Sequence, residues 1–202
     1  MHTTDMDCSP VTKLVIASGN AGKVREFQHL LAELNLAIEA QPDGLEVEET
    51  GSTFAENARL KAVAVASATG CWALADDSGL SVHALGGAPG VHSARYANSD
   101  TARIARLLQE LEGATDRSAE FSAALAVADP SGSVRLEVEG LCAGLILPTP
   151  RGSGGFGYDP VFFVPHTGLT YAEMDKGLKS EIGHRGRAFA QLEPQLRSLL
   201  GS

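Results

Sequence analysis

Two carboxylates stand side by side at Asp76 and Asp77, in the run Ala75-Asp76-Asp77-Ser78-Gly79 that follows a short apolar segment from Trp72 to Ala75. Adjacent acids in a partly dry place repel unless a proton or a cation is shared, so a divalent ion is their natural partner. Taken alone, the pair fits a solvated turn with Asp76 capping a helix equally well. Glu46, Glu48 and Glu49 add hard oxygen donors of the same kind, although an acidic run by itself is usually a solvated edge. Against these acids stand Lys61 and Lys23, the latter closing the glycine-bearing run Ser18-Gly19-Asn20-Ala21-Gly22. Acids that hold a metal, set beside cations, are what phosphoryl chemistry needs, because charge spreads over the phosphate oxygens in the transition state.

Two familiar phosphate motifs are excluded by spacing. A P-loop requires GxxxxGK followed by Ser or Thr, whereas here two residues separate the glycines and Val24 follows the lysine. Asp76-Asp77-Ser78 lacks the Asp-x-Asp spacing of aspartyl-phosphate phosphatases, which disfavours a covalent phosphoenzyme of that class. A second cluster, Gly154-Gly155-Phe156-Gly157-Tyr158-Asp159, surrounds two aromatics with glycines. Glycine lets backbone approach a ligand closely, and an aromatic face stacks on a nucleic base; the competing fate for either ring is burial in the core. Lys179, His184 and Arg185 supply donors for purine edges or phosphate, or a solvated surface.

The elements that must position these residues read as a mixed α/β chain. Lys13 to Ala17 is a β-rich run entering the glycine turn, after which Val24, Phe27, Leu30, Leu31 and Leu34 fall at helical spacing. The lysine then sits at a helix entrance, where unsatisfied N–H groups suit phosphate. Thr53-Phe54-Ala55-Glu56 fits a capping box ahead of an alanine-rich helix to Ala68, with Asn57 and Lys61 four apart on one face. Trp72 to Ala75 reads as a buried strand ending at the acidic pair, which would place both carboxylates at a strand's C-terminal edge. Ala102 to Leu111 is a further helix. Alternation at Phe121, Ala123, Leu125 and Val127, and again at Val134, Leu136 and Val138, predicts an antiparallel hairpin about Asp129-Pro130-Ser131-Gly132. Val161 to Val164 reads as a strand, and the chain from Tyr171 onward as mostly helical.

With 202 residues and 44% apolar content the chain can bury a sizeable core as one folding unit, residues 13–202, preceded by a loose tail at residues 1–12. Its apolar stretches fall far short of the roughly 20 residues of a membrane span. The polar start, with Asp5 and Asp7, does not read as a signal peptide. Cys8, Cys71 and Cys142 are odd in number and lack CxxC spacing, against both a disulfide framework and a zinc site, so a reducing, cytoplasmic setting is expected. A net charge of −9 opposes binding to nucleic acid or an anionic membrane; a polyanionic ligand would need a local cationic pocket and a metal.

Together the segments from about Lys13 to Phe189 resemble the inosine triphosphate pyrophosphatase family, the non-canonical purine or XTP/dITP pyrophosphatases. The matching blocks are Ser-Gly-Asn-Ala-Gly-Lys at 18–23, Glu-Glu-Thr-Gly at 48–51, Thr-Phe-x-Glu-Asn-Ala with Lys61, Ala-Asp-Asp-Ser-Gly-Leu at 75–80, Gly-Gly-Ala-Pro-Gly with Ser-Ala-Arg-Tyr at 86–96, Gly-Gly-Phe-Gly-Tyr-Asp-Pro at 154–160 and His-Arg at 184–185. The resemblance implies an elongated α/β fold of two lobes about a long mixed sheet with flanking helices, an active cleft between the lobes, and a homodimer. It implies cleavage of purine nucleoside triphosphates such as ITP, dITP and XTP to monophosphate and pyrophosphate with Mg²⁺. Carried onto this chain, Ser18, Gly19, Asn20, Ala21, Gly22 and Lys23 hold the triphosphate, joined by Lys61, Asp76 and Ser78. Glu49 and Asp77 bind Mg²⁺, and Asp77 is the proton acceptor. Phe156, Gly157, Tyr158, Asp159, Lys179, His184 and Arg185 form the nucleoside-binding group. The family commonly has Ser before the His-Arg pair; Gly183 stands there in this chain, which removes a hydroxyl contact at the base end. A Maf-like pyrophosphatase with other base preferences, or a nucleotide sensor without catalysis, are the competing readings.

Overall fold

The computed structural model describes residues 13–200; the expected tail and Cys8 lie outside the described residues. The first strand, β1 (Lys13–Ala17), leads into helix α1 (Ala21–Leu30) and returns parallel to itself as the short β2 (Ala37–Ala40). Asn20 caps α1, its Oδ1 accepting from the N–H groups of Gly22 and Lys23 at 2.8 and 3.2 Å. The helix stops at Leu30, short of the apolar periodicity, yet Leu31 and Leu34 are buried by the turn that follows. The capping box at Thr53 and Glu56 forms as its spacing predicts and starts α2 (Phe54–Thr69).

Strand β3 (Trp72–Val82) corrects the sequence reading. It does not end before the acidic pair: Asp76, Asp77 and Ser78 face Leu125, Ala124 and Ala123 of β4 (Ser118–Ala128) in an unbroken antiparallel register. The acids therefore sit in mid-strand rather than in a turn or at a C-terminal edge. A long partner strand satisfies their backbone groups, and the ladder holds because each side chain finds a cation.

The hairpin closes as expected, β4 pairing with β5 (Val134–Ile146) across a turn in which Gly132 N–H donates to Asp129 carbonyl. Helix α3 (Asp100–Glu110) precedes β4 and is capped by Ser99. Two short strands, β6 (Phe162–Val164) and β7 (Leu169–Thr170), complete a seven-stranded mixed sheet in the order β2-β1-β3-β4-β5-β6-β7. The C-terminal region forms α4 (Lys176–Ile182) and α5 (His184–Leu200). β2 and β7 carry no sequence alternation strong enough to announce them, being short and at the two margins of the sheet.

Because successive side chains in a strand point to opposite faces, the sheet builds two cores in its first half. Leu74, Leu125 and Val127 pack against Phe27 of α1 and Leu192 of α5, whereas Ala73, Ala75, Ala124 and Ala126 pack against Ala62 and Val65 of α2. A third core, in the second half, gathers Leu80, Phe121, Ile146 and Phe162 with Leu107 of α3. Two lobes thus share the long strands β3 to β5, and residues 76–78 lie at the waist between them. β1 pairs with β3 only as far as Ala17 opposite Ala75, so the waist of β3 has a free edge facing the loop that leads into α1.

Candidate active site

Strand alternation separates the two carboxylates. Asp76 points to the face of α1 and α5 and Asp77 to the face of α2, so they do not form the shared-cation pair that adjacency implied.

Asp76, 1% exposed, receives Lys23 Nζ at 2.7 Å and lies 3.4 Å from an Arg185 terminal nitrogen, while Ser78 Oγ donates to it at 3.0 Å. Burial works against its ionisation, but Arg185 and Lys23 outweigh that cost and hold its carboxyl well below the usual range. Burial lowers the Lys23 ammonium more than Asp76 restores it, and Arg185 adds to the depression. Arg185 also donates to Ser78 Oγ at 2.6 Å and to Glu26 at 2.8 Å. Glu26 in turn shares Lys179 with Asp159, at 2.7 Å each. The result is a buried network of alternating sign, Lys23–Asp76–Arg185–Glu26–Lys179–Asp159, in which each charge has a partner.

On the other face, Lys61 Nζ bridges Asp77 Oδ1 at 3.0 Å and Glu49 Oε1 at 2.7 Å, and Arg95 holds Glu49 Oε2 at 2.8 Å. Burial raises the Asp77 pKa against the opposing pull of Lys61, and Glu49 adds to the rise. Asn57, wholly buried, anchors the loop that carries Glu49 by accepting from Gly51 N–H at 2.8 Å. Among the described residues no three His, Cys, Asp or Glu side chains converge on one point. Glu49 and Asp77 nevertheless fit a hard cation: Asp77 Oδ2 is buried with no hydrogen-bond partner, and two carboxylates leave the remaining positions to water and phosphate, as magnesium prefers.

The base-end residues surround a cavity of about 180 Å³, lined among others by Glu26, Phe156, Lys179, His184 and Arg185. α5 is brought over the sheet at Gly140, where any Cβ would strike the backbone of His184 and Ala188, so glycine alone permits the close crossing that delivers His184 and Arg185. His184 is stacked on Phe121 with centroids 4.7 Å apart, and its Nδ1 lies 3.4 Å from Tyr171 Oη. Burial and then the neighbouring Arg185 depress its pKa strongly, so it is neutral. Tyr171 Oη also accepts from the His184 backbone N–H at 3.4 Å, so the tyrosine holds the histidine at both its backbone and its Nδ1. His184 Nε2 and the Arg185 Nε–H are both buried without a hydrogen-bond partner. Phe156 lies at the cavity wall with the Lys179 ammonium 5.1 Å from its centroid.

Tyr158, expected beside the nucleoside, is 4% exposed in the second-lobe core, and its hydroxyl donates to Ser93 carbonyl at 2.8 Å. Gly157 N–H is taken by Asp100 at 2.8 Å. Ser18, Gly19 and Ala21 border a separate, open hollow near Gln41 and Leu45. At Gly183 a Cβ would come within 2.5 Å of the Lys179 carbonyl, so a serine does not fit this backbone without a shift. Glu26, Arg95, Asn57 and Tyr171 were not assigned to the site from the sequence. Glu26 was recoverable, since it lies one helical turn from Lys23; the others are joined to their partners only by the tertiary fold.

A model of the Ham1 family matches residues 14–195. The dITP/XTP pyrophosphatase of Parasynechococcus marenigrum strain WH8102 is 66% identical over 94% of this chain and 97% of its own length. That of Nostoc sp. strain PCC 7120 is 54% identical over 94% and 96%. Among solved structures, a HAM1 protein from Coxiella burnetii superposes with a TM-score of 0.83 at 44% identity, covering 93% of this chain and 99% of that one. The Ham1 protein of Staphylococcus aureus gives 0.81 at 40%, with the same coverage.

Proposed function

Since this chain belongs to the Ham1 family, we propose that it hydrolyses non-canonical purine nucleoside triphosphates, ITP, dITP and XTP, to the monophosphate and pyrophosphate, and so cleanses the nucleotide pool. The observation that carries the reading is the waist of β3, where a base-sized cavity on one face and the Asp77–Lys61–Glu49 cluster on the other meet across a free strand edge. A nucleotide laid over that edge has its base among Phe156, Lys179, His184 and Arg185 and its phosphates beside Lys23, Lys61 and the N-terminus of α1.

Within this arrangement Phe156 stacks on the purine, and the free donors of His184 and Arg185 pair with a 6-oxo group. Adenine presents an amino donor at that position, and donor facing donor leaves buried groups unpaired. Lys23 and Lys61 neutralise oxygens around the α-phosphorus, with Ser78 and the Ser18–Gly22 loop completing the cradle. Glu49 and Asp77 would hold Mg²⁺, which would supply further charge neutralisation on the phosphates. Asp77 accepts the proton of the water that attacks the α-phosphorus. The bond to the α–β bridging oxygen breaks, and pyrophosphate leaves in one step.

The same reading takes residues 13–202 as one unit acting as a homodimer in the cytoplasm on free nucleotides. A net charge of −9 disfavours nucleic acid as substrate, and no helix among the described residues is long and apolar enough to cross a membrane. Incubation with inosine triphosphate and Mg²⁺ tests the reaction: equimolar monophosphate and pyrophosphate are expected, while stepwise orthophosphate release through the diphosphate rejects it.

A further inference from the structure

Building on that function, we infer that Arg95 is a substrate-contacting residue, which leaves Glu49 when the cation site fills and grips the β- and γ-phosphates, then the departing pyrophosphate.

Arg95 ends a short 3-10 helix, Gly90–Arg95, that is fixed to the edge of β3 just beyond the acidic pair. Ser93 Oγ accepts from Leu80 N–H at 2.9 Å and donates to Gly90 carbonyl at 2.6 Å, and Pro89 forms a bridge with Ser81. The base of the side chain is therefore rigid and belongs to the second lobe, while its guanidinium reaches the first-lobe loop at Glu49. Side-chain exposure rises along the contact chain, from 8% at Asp77 through 12% at Lys61 and 20% at Glu49 to 53% at Arg95. The order runs outward from β3 to solvent. A triphosphate whose base lies in that cavity places its terminal phosphates at the outer end, beside Arg95.

Both oxygens of Glu49 are occupied, one by Lys61 and one by Arg95. A cation bound by Glu49 is set against two positive groups already on that carboxylate and repels both, and Arg95 is the exposed member, whose release costs least in desolvation. A guanidinium freed there faces several phosphate charges in place of a single carboxylate and matches their oxygens two at a time.

Calorimetric titration of the full chain with inorganic pyrophosphate in Mg²⁺, and separately with inosine monophosphate, tests this without turnover. Arg95→Gln should weaken pyrophosphate by about tenfold or more, Arg95→Lys by less, and both should leave the monophosphate within about twofold of the parent. Mg²⁺ titrated alone should bind Arg95→Gln no more weakly than the parent. Pyrophosphate binding by Arg95→Gln within about twofold of the parent overturns the inference, as does an equal loss for both ligands or a weakened Mg²⁺ site, either of which makes Arg95 only a strut that positions Glu49. A parent that cleaves inosine triphosphate while Arg95→Gln binds pyrophosphate normally sinks the inference alone; a parent that neither cleaves it nor binds pyrophosphate removes the proposed function as well.

Discussion

At the scale of single residues, neighbours in sequence have different surroundings because one step along a strand turns them to opposite faces. Asp76 sits between Lys23 and Arg185 in a buried ion network and Asp77 beside Lys61 and Glu49, and each keeps one buried oxygen without a hydrogen-bond partner. Asp77→Asn should keep the fold and melting temperature while lowering kcat by about a hundredfold or more, since shape survives and the proton acceptor is gone. Near-normal turnover at limiting Mg²⁺ would remove Asp77 from its assigned role. Asp76→Asn should instead cost about 3 kcal/mol or more in urea unfolding, because Lys23 and Arg185 lose their shared buried counter-charge. The pH dependence separates the two further. The folded pKa of Asp76 lies below its unfolded value, so its contribution to stability is present above about pH 4 and is lost as pH falls. The parent should therefore lose stability on acidification more steeply than Asp76→Asn; parallel curves would show that the ion pairs contribute little.

At the scale of elements, the glycine loop between β5 and β6 works by what it leaves room for. Gly155 has φ +73°, a conformation costly for other residues, and a Cβ there would collide with the Asp159 carboxylate that anchors Lys179. Gly155→Ala should raise KM for the nucleotide by about tenfold and cost about 1–3 kcal/mol of stability, while pyrophosphate, which does not reach Asp159 or Lys179, should bind within about twofold of the parent. A parallel loss of pyrophosphate affinity in calorimetry would contradict the division of the site into a base end and a phosphate end. The helices contribute in the same positional way: α1 presents Lys23 at its start and Glu26 a turn later, so one element reaches both Asp76 and Arg185.

At the scale of the whole molecule, the cleft is a consequence of strand lengths: β1 stops opposite Ala75 while β3 continues into the second lobe, and the edge left exposed lies between the cavity at Phe156 and the Asp77–Lys61–Glu49 cluster. Inosine and xanthosine triphosphates should exceed adenosine triphosphate in kcat/KM by about a hundredfold, with Arg185→Ala shrinking the gap; equal turnover of adenosine and inosine triphosphates by the parent would sink the proposed function. Much of this was legible in the amino-acid order alone. The capping box of α2, the β4–β5 hairpin and the residue types for phosphate and base are local or compositional signals, and chain-neighbour physics suffices for them. Family membership rests on the same ordered blocks. The passage of β3 straight through Asp76 and Asp77 was not legible, because polarity argues for a turn and only pairing with a distant strand overrides it. Nor were the burial of Tyr158, the anchoring of Glu49 by Asn57 or the reach of Arg95 across the waist. Each depends on residues dozens of positions apart meeting in space, and on a period of two that assigns adjacent side chains to different surroundings once a sheet exists to have two faces.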